Sequence, residues 1–92
     1  MLEECVEWEI VRSRRVRKWL RRHPEAVECY ERGRELIAAN PYSGERLHGR
    51  CRGLWKLRVG ELRIVYRILG DDCIVAIEAV GYRENIYEEL GC

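Results

Sequence analysis

The carboxyl-terminal half of the chain contains three apolar segments separated by very short connections. The segments are residues 54–59, 62–69 and 73–80, and the connections are Gly60-Glu61 and Gly70-Asp71-Asp72. Two or three residues can join only antiparallel neighbours, so the pattern predicts two consecutive β-hairpins. The third segment is nearly apolar on both faces, and we expect it to be central in the sheet.

The amino-terminal half predicts one strand and two amphipathic helices. Residues 5–11 largely alternate apolar and charged side chains, which is typical of a strand. Ser13 is a favourable N-cap for a helix over residues 14–22, and Pro24 suits the first turn of a second helix. Asn40-Pro41 ends that second helix. Its apolar stripe comprises Ala26, Val27, Tyr30, Gly33, Leu36 and Ile37.

These elements predict an α+β fold in the order β-α-α-β-β-β, with a last helical turn within residues 85–90. The two-helix hairpin is expected to pack on one face of a small, mostly antiparallel four-stranded sheet. A chain of 92 residues is long enough for one modest core, so residues 1–92 are expected to form a single domain. No apolar run approaches the roughly 20 residues that span a bilayer. Because the N-terminus is acidic and unlike a secretory signal, we expect a cytoplasmic protein with no membrane partner.

Five cysteines are spread along the chain without a Cys-x-x-Cys pair. Their spacing is not that of a zinc site, and their odd number argues against a fully paired disulfide framework. Most are expected to be buried as small apolar side chains. One or two disulfides remain an open alternative, since intracellular proteins of hyperthermophiles contain them. No metal and no cofactor is predicted.

The basic residues are clustered although the formal net charge is only +1. Residues 12–22 contain seven Lys and Arg and no acid, and residues 46–67 contain seven more with only Glu61 among them. If Gly60-Glu61 is a two-residue turn, Arg58 lies opposite Arg63, and Lys56 shares their face of the sheet. Like charges directly opposite destabilise a hairpin, so this arrangement favours an anion-binding surface, with phosphate the commonest anion for Arg.

The alternative interpretation is a solvated strand face. Alternating Lys and Arg on a strand most often only face water, and nearby acids, namely Glu61, Glu78 or Glu84, could neutralise them. The pattern of the hairpin alone therefore leaves both interpretations open.

Further segments extend the basic hairpin in both directions. In order they are Leu47-His48-Gly49, the run GLWKLRV over residues 53–59, LRIVY over 62–66, VGYR over 80–83, and Tyr87. In this order and spacing they resemble the RelE family of toxin ribonucleases from type II toxin–antitoxin systems. The helical hairpin upstream also fits the family, so the resemblance covers essentially the whole chain.

The resemblance implies an endoribonuclease that cuts mRNA in the ribosomal A site by attack of a ribose 2′-hydroxyl on the adjacent phosphate. The family's catalytic positions fall on Lys56, Arg58, Arg63, Arg83 and Tyr87. Expected contacts to ribosomal RNA are the basic residues Arg14, Arg15, Arg17, Lys18, Arg21, Arg22, Arg50 and Arg52. The implied partners are a RelB-type antitoxin, the ribosome and mRNA.

Two departures from the family pattern concern the site. Arg58 stands where better-known members have lysine, which keeps the charge but makes proton transfer at that position unfavourable. The segment between Arg83 and Tyr87 is short, which places the reach of Tyr87 in question. Two alternatives of the same fold stay open: a ParE-like toxin that inhibits DNA gyrase without nuclease activity, and a catalytically silent RNA-binding relative.

Overall fold

The computed structural model of the chain describes residues 5–92. Five strands form one sheet in the order β1-β5-β4-β3-β2. The strands are β1 (Glu9–Arg12), β2 (Glu45–Arg46), β3 (Trp55–Val59), β4 (Leu62–Leu69) and β5 (Ile74–Gly81). The helices are α1 (Arg14–Arg22), α2 (Val27–Ala39) and α3 (Ile86–Glu89). Within residues 5–92, no helix is long and apolar enough to cross a membrane.

The sheet is mostly antiparallel, as predicted, but it has five strands rather than four. Within residues 5–92, only the β1–β5 pair is parallel. The additional strand β2 pairs Glu45 with Lys56, and a two-residue strand leaves no periodicity in the sequence. The predicted first strand over residues 5–11 was too long at its start. Its ladder begins at Glu9 because the partner β5 begins at Ile74.

Strand β5 is interior but not central. It lies between β1 and β4, and β4 is the middle strand of the five. Because β2 was not predicted, two strands, β3 and β2, lie beyond β4 instead of one. This makes β4 the central strand. Both long strands are buried on both faces over much of their length, which explains why their sequences are apolar almost without interruption.

Both helices form where the sequence predicts them, with one correction to α2. The Ser13 side chain caps α1 by accepting a hydrogen bond from the Val16 amide at 3.2 Å. A 3₁₀ turn, Pro24–Ala26, precedes α2, which ends at Ala39 before Asn40. The predicted stripe of α2 was too wide, since Val27 is 40% exposed and Leu36 is 49% exposed. At about 100° per residue, both lie about 90° from the centre of the buried face.

The core has two parts, one on each face of the sheet. The larger part packs α1 and α2 against the sheet, with Tyr30, Ile37, Ile64, Tyr66 and Ile77 among its fully buried side chains. The smaller part lies under α3 on the opposite face. It comprises Cys51, Leu54, Val65 and Ile86, with Leu47, Tyr87, Leu90 and Cys92 packed against them.

Four of the five cysteines form disulfides. Cys5 is bonded to Cys73, and Cys51 is bonded to Cys92. Cys29 is the remaining free thiol. The expectation that most cysteines act as small apolar side chains was therefore wrong, and the alternative of two disulfides is the one that the structure contains. Each bond fixes a chain end to a loop, because Cys5 lies before β1 and Cys92 follows α3.

Candidate phosphate-binding groove

The β3–β4 hairpin has the register that the sequence predicts. Gly60 and Glu61 form the turn, with Gly60 in the left-handed region at φ +60°. Arg58 pairs with Arg63, and Lys56 pairs with Val65. The alternating side chains Leu57, Val59, Leu62, Ile64 and Tyr66 pack towards the helices. The three cations therefore project from the other face of the sheet.

An open groove of about 390 Å³ lies on this cationic face. We call it the basic groove. It is lined by Ser43, Gly44, Glu45, Lys56, Leu57, Arg58, Arg63, Glu84 and Tyr87. The groove brings together four of the five predicted catalytic residues, which are Lys56, Arg58, Arg63 and Tyr87. It therefore combines three cations, two carboxylates and one phenol.

Two cations of the basic groove form ion pairs with neighbouring acids. Lys56 Nζ lies 3.6 Å from Glu45 Oε2, and Arg58 Nη2 lies 3.7 Å from Glu61 Oε2. All four side chains are more than a third exposed. Exposed pairs of this kind contribute at most about 1 kcal/mol, so a bound phosphate can replace either acid as the partner. The acids reduce the positive charge of the groove without closing it.

Glu45 is the charged residue of the groove that sequence reasoning missed. It lies on β2 directly opposite Lys56. A strand of two residues is too short to show an alternating pattern, so no pattern in the sequence predicts that Glu45 lies beside Lys56. The spacing between positions 45 and 56 also gives no sign of the pairing, because an intervening 3₁₀ turn (Gly49–Cys51) folds the loop back.

Arg63 is held by the backbone at the end of the neighbouring strand. Its Nη1 donates a hydrogen bond to the carbonyl oxygen of Tyr82, which follows β5. This contact restricts the guanidinium beside the groove and leaves other N–H donors of the same side chain free. The guanidinium is therefore oriented before any ligand arrives.

Tyr87 reaches the groove in spite of the short segment that precedes it. Helix α3 places the ring on the smaller apolar cluster, and Cys92 donates its amide to the Tyr87 carbonyl at 2.9 Å. The Tyr87 hydroxyl is buried and has no hydrogen-bond partner among residues 5–92. The same ring lines a second hollow of about 340 Å³ together with His48, Arg50 and Lys56.

Arg83 does not line the basic groove. It lies in a separate hollow of about 310 Å³ beside Trp19, His23 and Tyr82. The Tyr82 hydroxyl donates to Glu25 Oε2 at 3.0 Å, and desolvation together with this carboxylate raises the pKa of Tyr82. Arg83 therefore lies on the side of the helical hairpin, whereas the next residue, Glu84, lines the basic groove.

The predicted basic residues of α1 are distributed over two surfaces. Arg14, Arg17, Lys18 and Arg21 line a hollow of about 680 Å³ between α1 and the start of α2. Arg15 and Arg22, again with Arg14 and Lys18, line a hollow of about 440 Å³ on the side of Trp19 and His23. Arg50 lies beside Tyr87, and Arg52 is exposed just before β3.

Comparison with protein families decides the family of this chain. The model described as the ParE toxin of the type II toxin–antitoxin system parDE matches residues 7–87. The chain belongs to the ParE toxin family. It is therefore a toxin of the type II toxin–antitoxin class within the RelE/ParE superfamily, and the resemblance predicted from residues 47–87 is confirmed at that level. A search of the curated proteins found no match.

Solved structures share the fold of this ParE-family toxin. The RelBE2 toxin–antitoxin complex of Mycobacterium tuberculosis matches with a TM-score of 0.76 and 23% identity, over 85% of this chain and 100% of the other. The YoeB/ParE toxin of Agrobacterium tumefaciens matches at 0.68 and 23%, over 82% and 98%. The RelE–RelB complex of Pyrococcus horikoshii matches at 0.68 and 21%, over 84% and 96%. These TM-scores establish the common fold.

Proposed function

We propose that this ParE-family toxin cleaves mRNA in the ribosomal A site, with the scissile phosphate bound in the basic groove. The observation that supports the proposal is the convergence of Lys56, Arg58 and Arg63 on one open groove that also contains Tyr87 and Glu45. Arg forms bidentate hydrogen bonds with phosphate oxygens, and Lys adds a point charge. A toxin that inhibits gyrase by binding to it does not need these cations, the phenol and the carboxylate together in one groove.

The chemistry follows from the residues of the groove. The 2′-hydroxyl oxygen attacks the adjacent phosphorus, the bond to the 5′-oxygen breaks, and a 2′,3′-cyclic phosphate forms. Negative charge develops on the phosphoryl oxygens in the transition state, where the preorganised Arg63 and Lys56 stabilise it. The carboxylate of Glu45 can accept the proton of the 2′-hydroxyl, and the partly exposed ammonium group of Lys56 can donate a proton to the leaving oxygen.

The partners follow from the same proposal. The cations of α1, with Arg50 and Arg52, are suited to phosphates of ribosomal RNA, and this contact should weaken steeply with salt. A RelB-type antitoxin would neutralise the toxin, since two solved relatives of the same fold are toxin–antitoxin complexes. A toxin that acts on translating ribosomes works in the cytoplasm.

The test is cleavage of mRNA on programmed ribosomes. The wild-type toxin should cut in the A-site codon, and Arg63→Ala should reduce the rate by about 100-fold or more, the usual cost of removing one preorganised donor. Arg34→Ala is the matched control, because Arg34 is an exposed cation on α2, outside the groove, that pairs with Glu31. Intact mRNA after incubation with folded wild-type toxin would contradict the proposal.

A second candidate function is inhibition of DNA gyrase. The observation that favours it is the matching family description, which is that of the ParE toxin. Supercoiling of relaxed plasmid by gyrase separates the two candidates. Loss of supercoiling with wild-type toxin and with Arg63→Ala alike, together with intact mRNA on ribosomes, would establish this alternative.

A further inference from the structure

Three aromatic side chains gather where α1 approaches the end of β5. The rings of Trp19 and His23 are stacked, with centroids 3.9 Å apart and an interplanar angle of 12°. The ring of Tyr82 meets Trp19 edge-on at 5.2 Å. Tyr82 is 37% exposed, and the other two side chains are half-buried. We call these three residues the aromatic platform.

Cations surround the aromatic platform on two sides. One hollow joins its rings to Arg83, and the neighbouring hollow joins Trp19 and His23 to four cations of α1, which are Arg14, Arg15, Lys18 and Arg22. Among the described residues, Glu89 is the one acid in the lining of these two hollows, and it lines both. The two hollows share Trp19, His23 and Glu89, so they form one continuous surface of rings and cations in which Glu89, and Glu25 at the Tyr82 hydroxyl, are the acids.

The platform begins where the basic groove ends. Arg63 lines the groove, and its guanidinium donates to the carbonyl oxygen of Tyr82, which belongs to the platform. The next residue, Arg83, lies in the platform hollow rather than in the groove. The groove and the platform therefore adjoin at the contact between Arg63 and the backbone of Tyr82, with Arg83 on the platform side.

We propose that the aromatic platform binds single-stranded RNA adjacent to the cleaved phosphate. The planes of the His23 and Tyr82 rings are inclined at 75°, so each ring stacks on its own unpaired base, while neighbouring phosphates contact Arg83 and the cations of α1. Aromatic rings interleaved with cations are the combination that binds single strands, because every unpaired base offers a π-face. A duplex keeps its bases stacked on one another and cannot use the rings. This inference rests on the proposed RNA cleavage, and it gives Arg83 a binding role outside the groove.

The test separates base stacking from phosphate attraction. Binding of two labelled six-nucleotide strands to the full-length toxin is measured by fluorescence anisotropy. One strand is 2′-O-methyl RNA, which cannot be cleaved, and the other has the same backbone without bases. Both carry the same charge, so only stacking distinguishes them. The wild type should bind the strand with bases about 5-fold or more tightly than the abasic strand.

Three variants locate the effect. His23→Ala and Tyr82→Leu should each lose most of the preference for bases while keeping the salt dependence of binding, which reports phosphate contacts. Tyr42→Leu is the matched control. Tyr42 is 54% exposed and packs edge-on against Trp8 and Trp55, outside the platform. Thermal unfolding by circular dichroism checks that each variant is folded, and two independent platform variants guard against a local folding defect in one of them.

Equal binding of both strands by the wild type, no binding of either, or an unchanged preference in both platform variants would overturn the inference. The outcome is independent of cleavage, since the strand is non-cleavable and no ribosome is present. A toxin that prefers bases through the platform but leaves mRNA intact on ribosomes contradicts only the proposed function. A toxin that cuts mRNA but shows no preference for bases contradicts only the platform.

Discussion

The disulfide Cys51–Cys92 is expected to stabilise the toxin and to hold Tyr87 at the groove. Its removal by the paired substitution Cys51→Ala and Cys92→Ala is the perturbation that tests both roles. Alanine is chosen because Cys51 is only 8% exposed within the smaller apolar cluster, where a serine hydroxyl would need a partner.

The size of the effect follows from the loop that the bond closes. Cys51 and Cys92 are 41 residues apart. A cross-link over that length lowers the chain entropy of the unfolded state, which stabilises the folded protein by about 4 kcal/mol. A domain of this size has about 5–14 kcal/mol in total, so the loss is a large fraction of its stability. Locally, α3 retains only its apolar contacts, chiefly those of the buried Ile86.

The assay combines equilibrium unfolding in guanidinium chloride with hydrogen exchange of the C-terminal amides. The double variant should unfold at a markedly lower denaturant concentration and should lose protection at the Leu90 and Cys92 amides, which donate to the Tyr87 carbonyl. The rate of the proposed mRNA cleavage should fall as well, because Tyr87 would no longer be held in the wall of the basic groove.

The matched control removes the other disulfide. Cys5→Ser with Cys73→Ser opens a loop of 68 residues, and neither cysteine belongs to the smaller apolar cluster under α3. It should lower stability by a similar amount, since the entropy depends only weakly on loop length, and it should leave protection of the C-terminal amides and cleavage by the folded protein unchanged. Equal protection of those amides in both double variants, or an unaltered unfolding midpoint without Cys51–Cys92, would refute the reasoning.

Three smaller predictions concern the frame that supports the groove. Gly33→Ala should destabilise the fold by about 1–3 kcal/mol in denaturant unfolding, because the added Cβ would collide with the Ile64 side chain. Ser13→Ala should cost about 1 kcal/mol in the same assay through loss of the α1 cap, and an unchanged midpoint would contradict the capping role. Burial raises the pKa of Tyr66 from 10.0 to about 12, so stability should be intact below pH 10 and should fall as the pH rises towards 12. Tyr66→Phe should reduce that fall, although it also leaves the Pro41 carbonyl without its hydrogen bond and lowers stability at neutral pH.

Much of the frame is local and was therefore predictable. The bounds of β4 and the register of the β3–β4 hairpin follow from a two-residue turn and the alternation of side chains on each side of it. The cap at Ser13 and the end of α2 at Asn40-Pro41 depend on residues that act within one helical turn. Lys56, Arg58 and Arg63 share one face for the same reason, since period-two alternation in a fixed register leaves no other arrangement.

The tertiary structure alone decided which distant residues meet those cations. Glu45 reaches Lys56 through a strand too short to show a pattern, and Tyr87 reaches the groove because a disulfide and an apolar cluster hold α3 on that face. Arg83 lies outside the groove, in the hollow that also contains Tyr82, whose hydroxyl donates to Glu25 between the two helices. These contacts join positions far apart in the chain, and their geometry depends on packing that no local pattern records. The sequence by itself determined the cationic face, and the packed fold determined its carboxylate, its phenol and the platform beside it.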